Sequence, residues 1–367
     1  MKPAVLVISS YRDTLNAVRP EGALLIGLHR AGWPVTVITQ ADAPYAEEFR
    51  RAGLRVIDGH PTNKYDLVAR RLIRTELESG RYGILHLYNN KAIVNGLAAA
   101  RGIDVRIATY RGYTGNLHWW DPFVYRKHLH PQVDLITCVS PAVKEVFDHH
   151  PFFTSARARV VSKGHDPAWY ADVRPADLAA EFDVKPGEIT IGMVANARRM
   201  KGLPVLIKAV SLLPPGLPLR FFFIGRGLNT PANGAALSRT AYADRAHFTG
   251  FREDALSLTA ALDISVLPST KGEGLSKVLL ESFFLARPTI MTTIGGNRHL
   301  GIDGQTCLTV PPADADALAA ALRRLIDDPA LRTRLGKEGR TFVQEHFSTD
   351  TSVRELAAAY EWVLGKG

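Results

Sequence analysis

The chain has 367 residues, 46% of them hydrophobic and 22% charged, which is enough for two domains with separate cores and excludes a disordered protein. No uncharged apolar run reaches the roughly 18–20 residues of a membrane-spanning helix. The net charge of +9 is concentrated in residues 1–165, which hold 22 Lys and Arg against 14 Asp and Glu, whereas the remainder holds 23 against 22.

Several broad expectations follow from these totals. A basic first half is either a solvated surface or one drawn to an anionic membrane or acceptor. Nucleic acid is not indicated, because no recognition motif accompanies the charge. Met1 leads almost directly into the apolar run Ala4–Ile8 with no secretory leader, so a cytoplasmic protein is expected, at most peripheral on the inner face of the membrane. Cys138 and Cys307 stand far apart in apolar runs and read as reduced core residues.

In chain order, β-rich runs at 3–9, 34–39, 54–57, 83–87, 104–109 and 133–138 alternate with helical stretches at 20–31, 44–52, 65–79, 90–101, 121–129 and 140–148. Such alternation predicts βαβ units, a mostly parallel sheet and helices on both faces. Ligands then bind beyond the carboxyl ends of the strands, so the loops that follow strands are the ones to read. After the first run, Pro20 is placed to start a helix, and Gly22 would let a ligand approach. Arg70, Arg71 and Arg74 cluster on the helix at 65–79, either as a solvated face or as a face toward anionic lipid or acceptor.

The loop from Tyr110 to Pro122 combines glycines, aromatic rings, a histidine and charges. Aromatic faces beside polar edges suit a sugar ring. Arg111, Tyr113, Asn116, Trp119 and Asp121 are candidate acceptor contacts, and His118 is a candidate group near a reacting centre. The remaining histidines, and Asp314 with Asp316, lack metal-ligand spacing, so no metal is assigned.

Prolines 167, 175 and 186 with Gly187 mark residues 168–186 as a linker between domains 1–167 and 187–348. A second alternating series follows, with strands at 188–195, 219–224, 246–248, 263–267, 288–292 and 306–310. Its helices are expected at 202–212, 232–242, 253–260, 275–286, 314–327 and 330–345. The loop 195–203 carries Asn196, Arg198, Arg199 and Lys201, three cations in four residues. Turns at Gly225 and at Gly250-Phe251 also follow strands; the latter could frame a flat base.

Ser269 to Glu281 joins a strand to a helix through a glycine-rich loop. Gly274, Leu275 and Ser276 place free N–H groups at a helix start, an anion cradle. Glu273 and Glu281 face the same space from different depths, and acceptor-only carboxylates suit the hydroxyls of a sugar nucleotide.

Glu273 and Glu281 form E-x(7)-E, and with Lys201-Gly202, Gly225, Gly250 and Gly295-Gly296 in this order the chain resembles the family 4 retaining glycosyltransferases of the GT-B fold. The resemblance implies two Rossmann-like domains with a cleft between them and a final helix, 349–367, that crosses back onto the first domain. It implies a UDP- or GDP-linked sugar held mainly by the second domain and transferred to a glycan or lipid-linked acceptor, without metal or other cofactor. Lys201 would contact the diphosphate, Glu281 the ribose, Glu273 the donor sugar, and His118 the transferred sugar. The family's arginine five residues before the lysine is Asn196 here, the first glycine of its N-terminal pair is Glu21, and its Glu after Gly-Gly is His299. A nucleotide-sugar epimerase or hydrolase of the same fold, or a non-catalytic nucleotide-sugar-binding protein, are the alternatives.

Overall fold

The computed structural model describes residues 2–13, 15–115, 117–118, 120–149 and 155–365. Two units of nearly equal size divide it. The first comprises Met1–Asp166 with Ser348–Gly367, and the second is the uninterrupted stretch Pro167–Phe347.

The first unit begins β1 (Ala4–Ile8), α1 (Leu15–Arg30), β2 (Val35–Thr39), α2 (Ala46–Arg51), β3 (Arg55–Asp58), α3 (Leu67–Glu78) and β4 (Tyr82–Leu87). It continues with α4 (Asn90–Ala99), β5 (Arg106–Arg111), β6 (Val133–Cys138), α5 (Pro141–Asp148) and β7 (Ala158–Val160). The second unit holds α6 (Ala168–Ala171), α7 (Leu178–Phe182), β8 (Ile189–Val194), α8 (Leu203–Ser211), β9 (Leu219–Ile224), α9 (Pro231–Leu237), β10 (Ala246–Gly250) and α10 (Ala255–Ala261). Then come β11 (Ile264–Leu267), α11 (Lys277–Phe284), β12 (Thr289–Thr292), β13 (Leu308–Val310), α12 (Ala315–Asp327) and α13 (Pro329–His346). The chain closes with α14 (Thr349–Leu364), which belongs to the first unit. No helix among the described residues is long and apolar enough to cross a membrane.

Each unit is one parallel sheet, in the order β3-β2-β1-β4-β5-β6-β7 and β10-β9-β8-β11-β12-β13. Parallel strands covered on both faces need continuous apolar side chains. Leu219-Arg220-Phe221-Phe222-Phe223-Ile224 meets that need, with five of its six residues buried. Strand order reverses between β1 and β4 in one sheet and between β8 and β11 in the other. The loops that leave a sheet on either side of such a reversal diverge and open a crevice at the strands' carboxyl ends.

The apolar face of α14 finds its cover in the first unit. Leu356, Ala359, Tyr360 and Val363 are buried in one core with Leu24, Leu28 and Trp33. Tyr360 packs edge-on to Trp33 at 5.4 Å, and Tyr360 Oη lies 2.7 Å from His86 Nδ1. Gly27 on α1 admits the helix: a Cβ there would lie 2.6 Å from Val353 Cγ2.

Several boundaries differ from the sequence expectation. Helix α1 starts at Leu15, so Pro20 lies inside it and not at its first turn. Tyr110 and Arg111 extend β5 by pairing with β6, so the loop begins after them. The expected helix 121–129 is a run of turns, closed by bonds such as Val124 N–H to Asp121 O and Lys127 N–H to Val124 O. Its backbone bonds span three residues, or five at Leu129 N–H to Val124 O, so no α-helical ladder forms. Residues 168–186, expected as a linker, fall in the second unit and carry α6 and α7. Tyr170 stacks on Phe284 at 4.9 Å, and Leu178 joins a buried cluster with Phe222, so this segment has a core to bury into.

Glu21, in place of the family's first glycine, is buried on α1. Its Oε1 accepts from Ser9 Oγ and its Oε2 from Lys163 Nζ, each at 2.6 Å. Burial alone would push the Lys163 ammonium down, but the Glu21 charge, with Tyr110 beside it, holds it above its ordinary value.

His86 and His128 are buried in the same unit, and burial pushes both imidazoles down to about 3. In the unfolded chain they accept a proton near pH 6.5. Between those values the unfolded state binds more protons, so stability is complete above about pH 6.5 and declines as pH falls. From pH 6.5 to pH 5 each contributes a loss of up to about 2 kcal/mol. The thermal unfolding midpoint should therefore drop from pH 7 to pH 5; an unchanged midpoint would contradict the account.

Candidate active site

The reversal of strand order in the second unit lies between β8 and β11. Lys201 follows β8 and Glu273 follows β11, so topology places both loops beside the crevice. The loops are stitched together by Thr270 N–H, which donates to Met200 O at 2.7 Å. Lys201 Nζ then reaches Glu273 Oε1 at 2.5 Å. Ser269 Oγ donates to the same carboxylate oxygen at 2.8 Å, and Thr292 Oγ1 fixes Ser269 by bonding its carbonyl at 2.6 Å. Glu273 is only 7% exposed, which makes this a fixed pair and not a surface ion pair. Among the described residues no donor reaches its Oε2.

Glycines bring backbone against backbone around this pair. A Cβ at Gly202 would lie 1.8 Å from Pro268 O, and one at Gly225 would lie 1.8 Å from Ala195 O. One at Gly296 would lie 1.7 Å from Gly274 O, where Gly296 N–H also donates to Glu273 O at 3.0 Å. Gly225 N–H bonds Gly250 O at 2.8 Å. The turns after β8, β9, β10, β11 and β12 thus form a contiguous surface.

Positive charge exceeds negative on that surface. Asn196, Arg198 and Arg199 are exposed in the first loop. Among the described residues neither arginine has an ion-pair partner. Lys277 Nζ holds Glu281 Oε1 at 2.7 Å across one turn of α11. Across 196–202 and 269–281, Arg198, Arg199, Lys201, Lys271 and Lys277 stand against Glu273 and Glu281. Leu275 and Ser276 precede the first turn of α11, where the helix presents unbonded N–H groups to an anion. Phe251 is 53% exposed, with the Arg226 guanidinium 5.1 Å from its ring.

The first unit's candidates are less gathered. His118 is exposed and stacks on Trp120 at 4.9 Å. Arg111 is 4% exposed, and its guanidinium donates to Tyr113 O and Gly115 O while lying 4.0 Å from the Tyr113 ring. Its Nε and Nη2 thus shape the loop. Asp121 Oδ1 accepts Phe123 N–H at 2.9 Å. Gly22 has a packing reason, since a Cβ there would lie 2.1 Å from Tyr45 Cε1. Asn116 and Trp119 lie outside the described residues.

Sequence reasoning passed over Ser269, which is fully buried and orients Glu273; a hydroxyl four residues ahead of a loop carboxylate was the available signal. It also passed over Asn297, which is fully buried with neither amide atom bonded among the described residues, and which no pattern in the chain marks; the cradle residue Ser276 likewise has an unbonded Oγ there.

Two family profiles match these units in order. One described as Glycosyltransferase Family 4 covers residues 23–169, and one described as Glycosyl transferases group 1 covers 188–328. The chain belongs to the family 4 glycosyltransferases. The lipopolysaccharide core biosynthesis glycosyltransferase LpsE of Rhizobium meliloti is 32% identical over 61% of this chain and 64% of its own length. Alpha-D-kanosaminyltransferase of Streptomyces kanamyceticus is 29% identical over 52% of this chain and 49% of its own. The chain therefore matches about half to two thirds of the length of these curated relatives. Among solved structures, a glycosyltransferase of Rickettsia africae superposes with a TM-score of 0.81 at 16% identity, covering all of both chains. Anabaena HepE, solved with UDP, gives 0.78 at 18% identity, covering 99% of this chain and all of its own. The fold is GT-B, as the resemblance implied.

Gly296→Ala should push a methyl group into the Gly274 carbonyl and displace the loop that carries Glu273. The expected cost is about 1–3 kcal/mol, seen as a melting temperature lower by about 3–10 °C. A variant as stable as the parent would show that the turn is not fixed by this contact.

Proposed function

We propose that the protein is a retaining glycosyltransferase that moves a sugar from a UDP- or GDP-linked donor to a glycan or lipid-linked acceptor of the cell envelope, in lipopolysaccharide or related polysaccharide synthesis. The observation that carries this reading is the Lys201–Glu273 pair, its carboxylate buried, within a cation-rich, glycine-built loop surface at the strand-order reversal. Likeness to LpsE supports the acceptor class.

Lys201, Arg198 and Arg199, with the first N–H groups of α11, meet the diphosphate. Each well-aimed donor stabilises the developing charge by a few kcal/mol. Glu281 takes ribose hydroxyls, the free Oε2 of Glu273 takes a hydroxyl of the donor sugar, and His118 meets the transferred sugar. The bond between the anomeric carbon and the diphosphate oxygen breaks with its electron pair going to the diphosphate. The acceptor oxygen bonds the same face of the sugar, and its proton passes to the departing diphosphate oxygen. The cations supply the charge stabilisation, so the reading requires no metal or other cofactor.

The test is transfer from labelled nucleotide sugars to envelope lipid and glycan extracts, alongside calorimetric titration with UDP and GDP. Glu281→Ala should weaken binding of the preferred nucleotide at least tenfold. Equal affinity in that variant would remove Glu281 from the site, and no transfer from any common donor by the folded protein would remove the activity.

Peripheral contact with an anionic membrane, on the inner face of the cytoplasmic membrane, is part of the same proposal. Tyr65, Leu67 and Val68 at the start of α3 are 63–78% exposed, and Trp120 and Phe123 are 65% and 61% exposed. Both segments follow carboxyl ends of the first sheet. Lys64, Arg71, Arg126 and Lys127 lie in the same stretches, with Asp66 and Asp121 as the acids there. Apolar side chains among cations suit an anionic headgroup layer. Arg74 is offset by Glu78 at 2.7 Å, and Arg70 Nε is held by Asn95 Oδ1 at 2.8 Å. Val68→Asp with Trp120→Asp should release the protein from phosphatidylglycerol vesicles in co-sedimentation. Equal binding to neutral and anionic vesicles would count against this contact.

A further inference from the structure

The cations of the candidate active site lie beyond the carboxyl ends of strands, yet the second unit gathers another set at the opposite end. A cavity of about 490 Å³ opens there between helix α13 and the turn Ala286-Arg287-Pro288. Asp263, just before β11, also lines it, whereas Ser269 and Glu273 lie beyond the other end of that strand. The cavity is therefore separate from the loops of the candidate active site.

Four cations line it: Arg287, Arg332, Lys337 and Arg340. On α13, Arg332, Gly336 and Arg340 are spaced by four, as are Thr333, Lys337 and Thr341, so the two rows run side by side on one helix face. Neither row contains an acid. At Gly336 the helix touches the turn, since a Cβ there would lie 2.3 Å from Ala286 O. That contact fixes the helix against Arg287.

The wall's donors are only partly engaged. Arg287 Nε and Nη1 bond Leu285 O and Leu262 O, each at 3.0 Å, and among the described residues Nη2 has no acceptor. Arg332 Nη1 bonds the carbonyls of Leu325 and Ile326. Lys337 and Arg340 are exposed, and neither has an ion-pair or side-chain hydrogen-bond partner among the described residues. Asp263, the acid of the wall, has its Oδ2 occupied by Thr190 N–H and Thr190 Oγ1 at 2.8 and 2.9 Å. Like charges three residues apart on a helix repel, and a bound anion relieves that repulsion. The volume lies in the range of small-molecule sites.

We propose that this cavity is a second anion site, which takes a small phosphorylated molecule through Lys337, Arg340 and the free Nη2 of Arg287. It is independent of the donor loops and of the reaction assigned to them.

Pyrophosphate is the probe, titrated calorimetrically at constant ionic strength into the full chain and into Lys337→Ala/Arg340→Ala. Both positions are exposed, and unfolding midpoints confirm that the variant folds. The proposal expects the double variant to lose one saturable pyrophosphate site that the parent has, with any binding at the donor loops, read by UDP, unchanged. Identical pyrophosphate isotherms in the two proteins, or no saturable binding by the parent, would overturn it. Because the UDP titration reads the donor loops separately, failure there leaves the pyrophosphate result interpretable.

Discussion

Close approach of backbone to backbone in the second unit is the constraint on which the rest of the site depends. Gly202 against Pro268, Gly225 against Ala195 and Gly296 against Gly274 each leave no room for a Cβ. Gly202 and Gly225 also adopt φ values of 77° and 142°, which side chains avoid. Turns that follow separate strands are thereby locked into a single surface. The positions of Lys201 and Glu273 then depend on main-chain packing, which is stiffer than side-chain packing. A cradle for a charged ligand needs that stiffness, because its donors must not reorganise when charge develops.

The Lys201–Glu273 pair draws its meaning from this frame. Two nearly buried charges lose hydration that their mutual attraction only partly returns. Ser269 and Thr292 lessen the cost by completing hydrogen bonds around the carboxylate. The arrangement keeps a lysine and a carboxylate side by side in fixed orientation, one suited to phosphate and the other to hydroxyls. Glu21 and Lys163 repeat the motif of a buried pair in the first unit, where Ser9 plays the supporting part.

Architecture was largely legible in the chain, because parallel strands covered on both faces write themselves as apolar runs bounded by turns. The second unit's site was legible for a related reason: E-x(7)-E, Lys201 and the glycines each answer a local demand of strand-loop-helix geometry. What stayed hidden depends on distant partners. Ser269 gains its role only once Glu273 folds over it, and Gly22 is explained by Tyr45, more than twenty residues away. Arg111 read as a free cation because nothing local shows that its donors turn back onto Tyr113 and Gly115. The short edge strand β7 and the turns at 121–130 have too few residues to establish a period.

The first unit is discontinuous, and this bears on how the chain is made. Its sheet is complete by Val160, but the helix that covers α1 begins only at Thr349, after the entire second unit. At typical rates of synthesis the interval is on the order of ten to forty seconds. Throughout it Leu24, Leu28 and Trp33 lack the side chains of Leu356, Tyr360 and Val363. The second unit, being continuous, can fold as soon as it emerges. The first unit therefore cannot complete its core until the second has been synthesised, unlike the usual order in which the amino-terminal domain matures first.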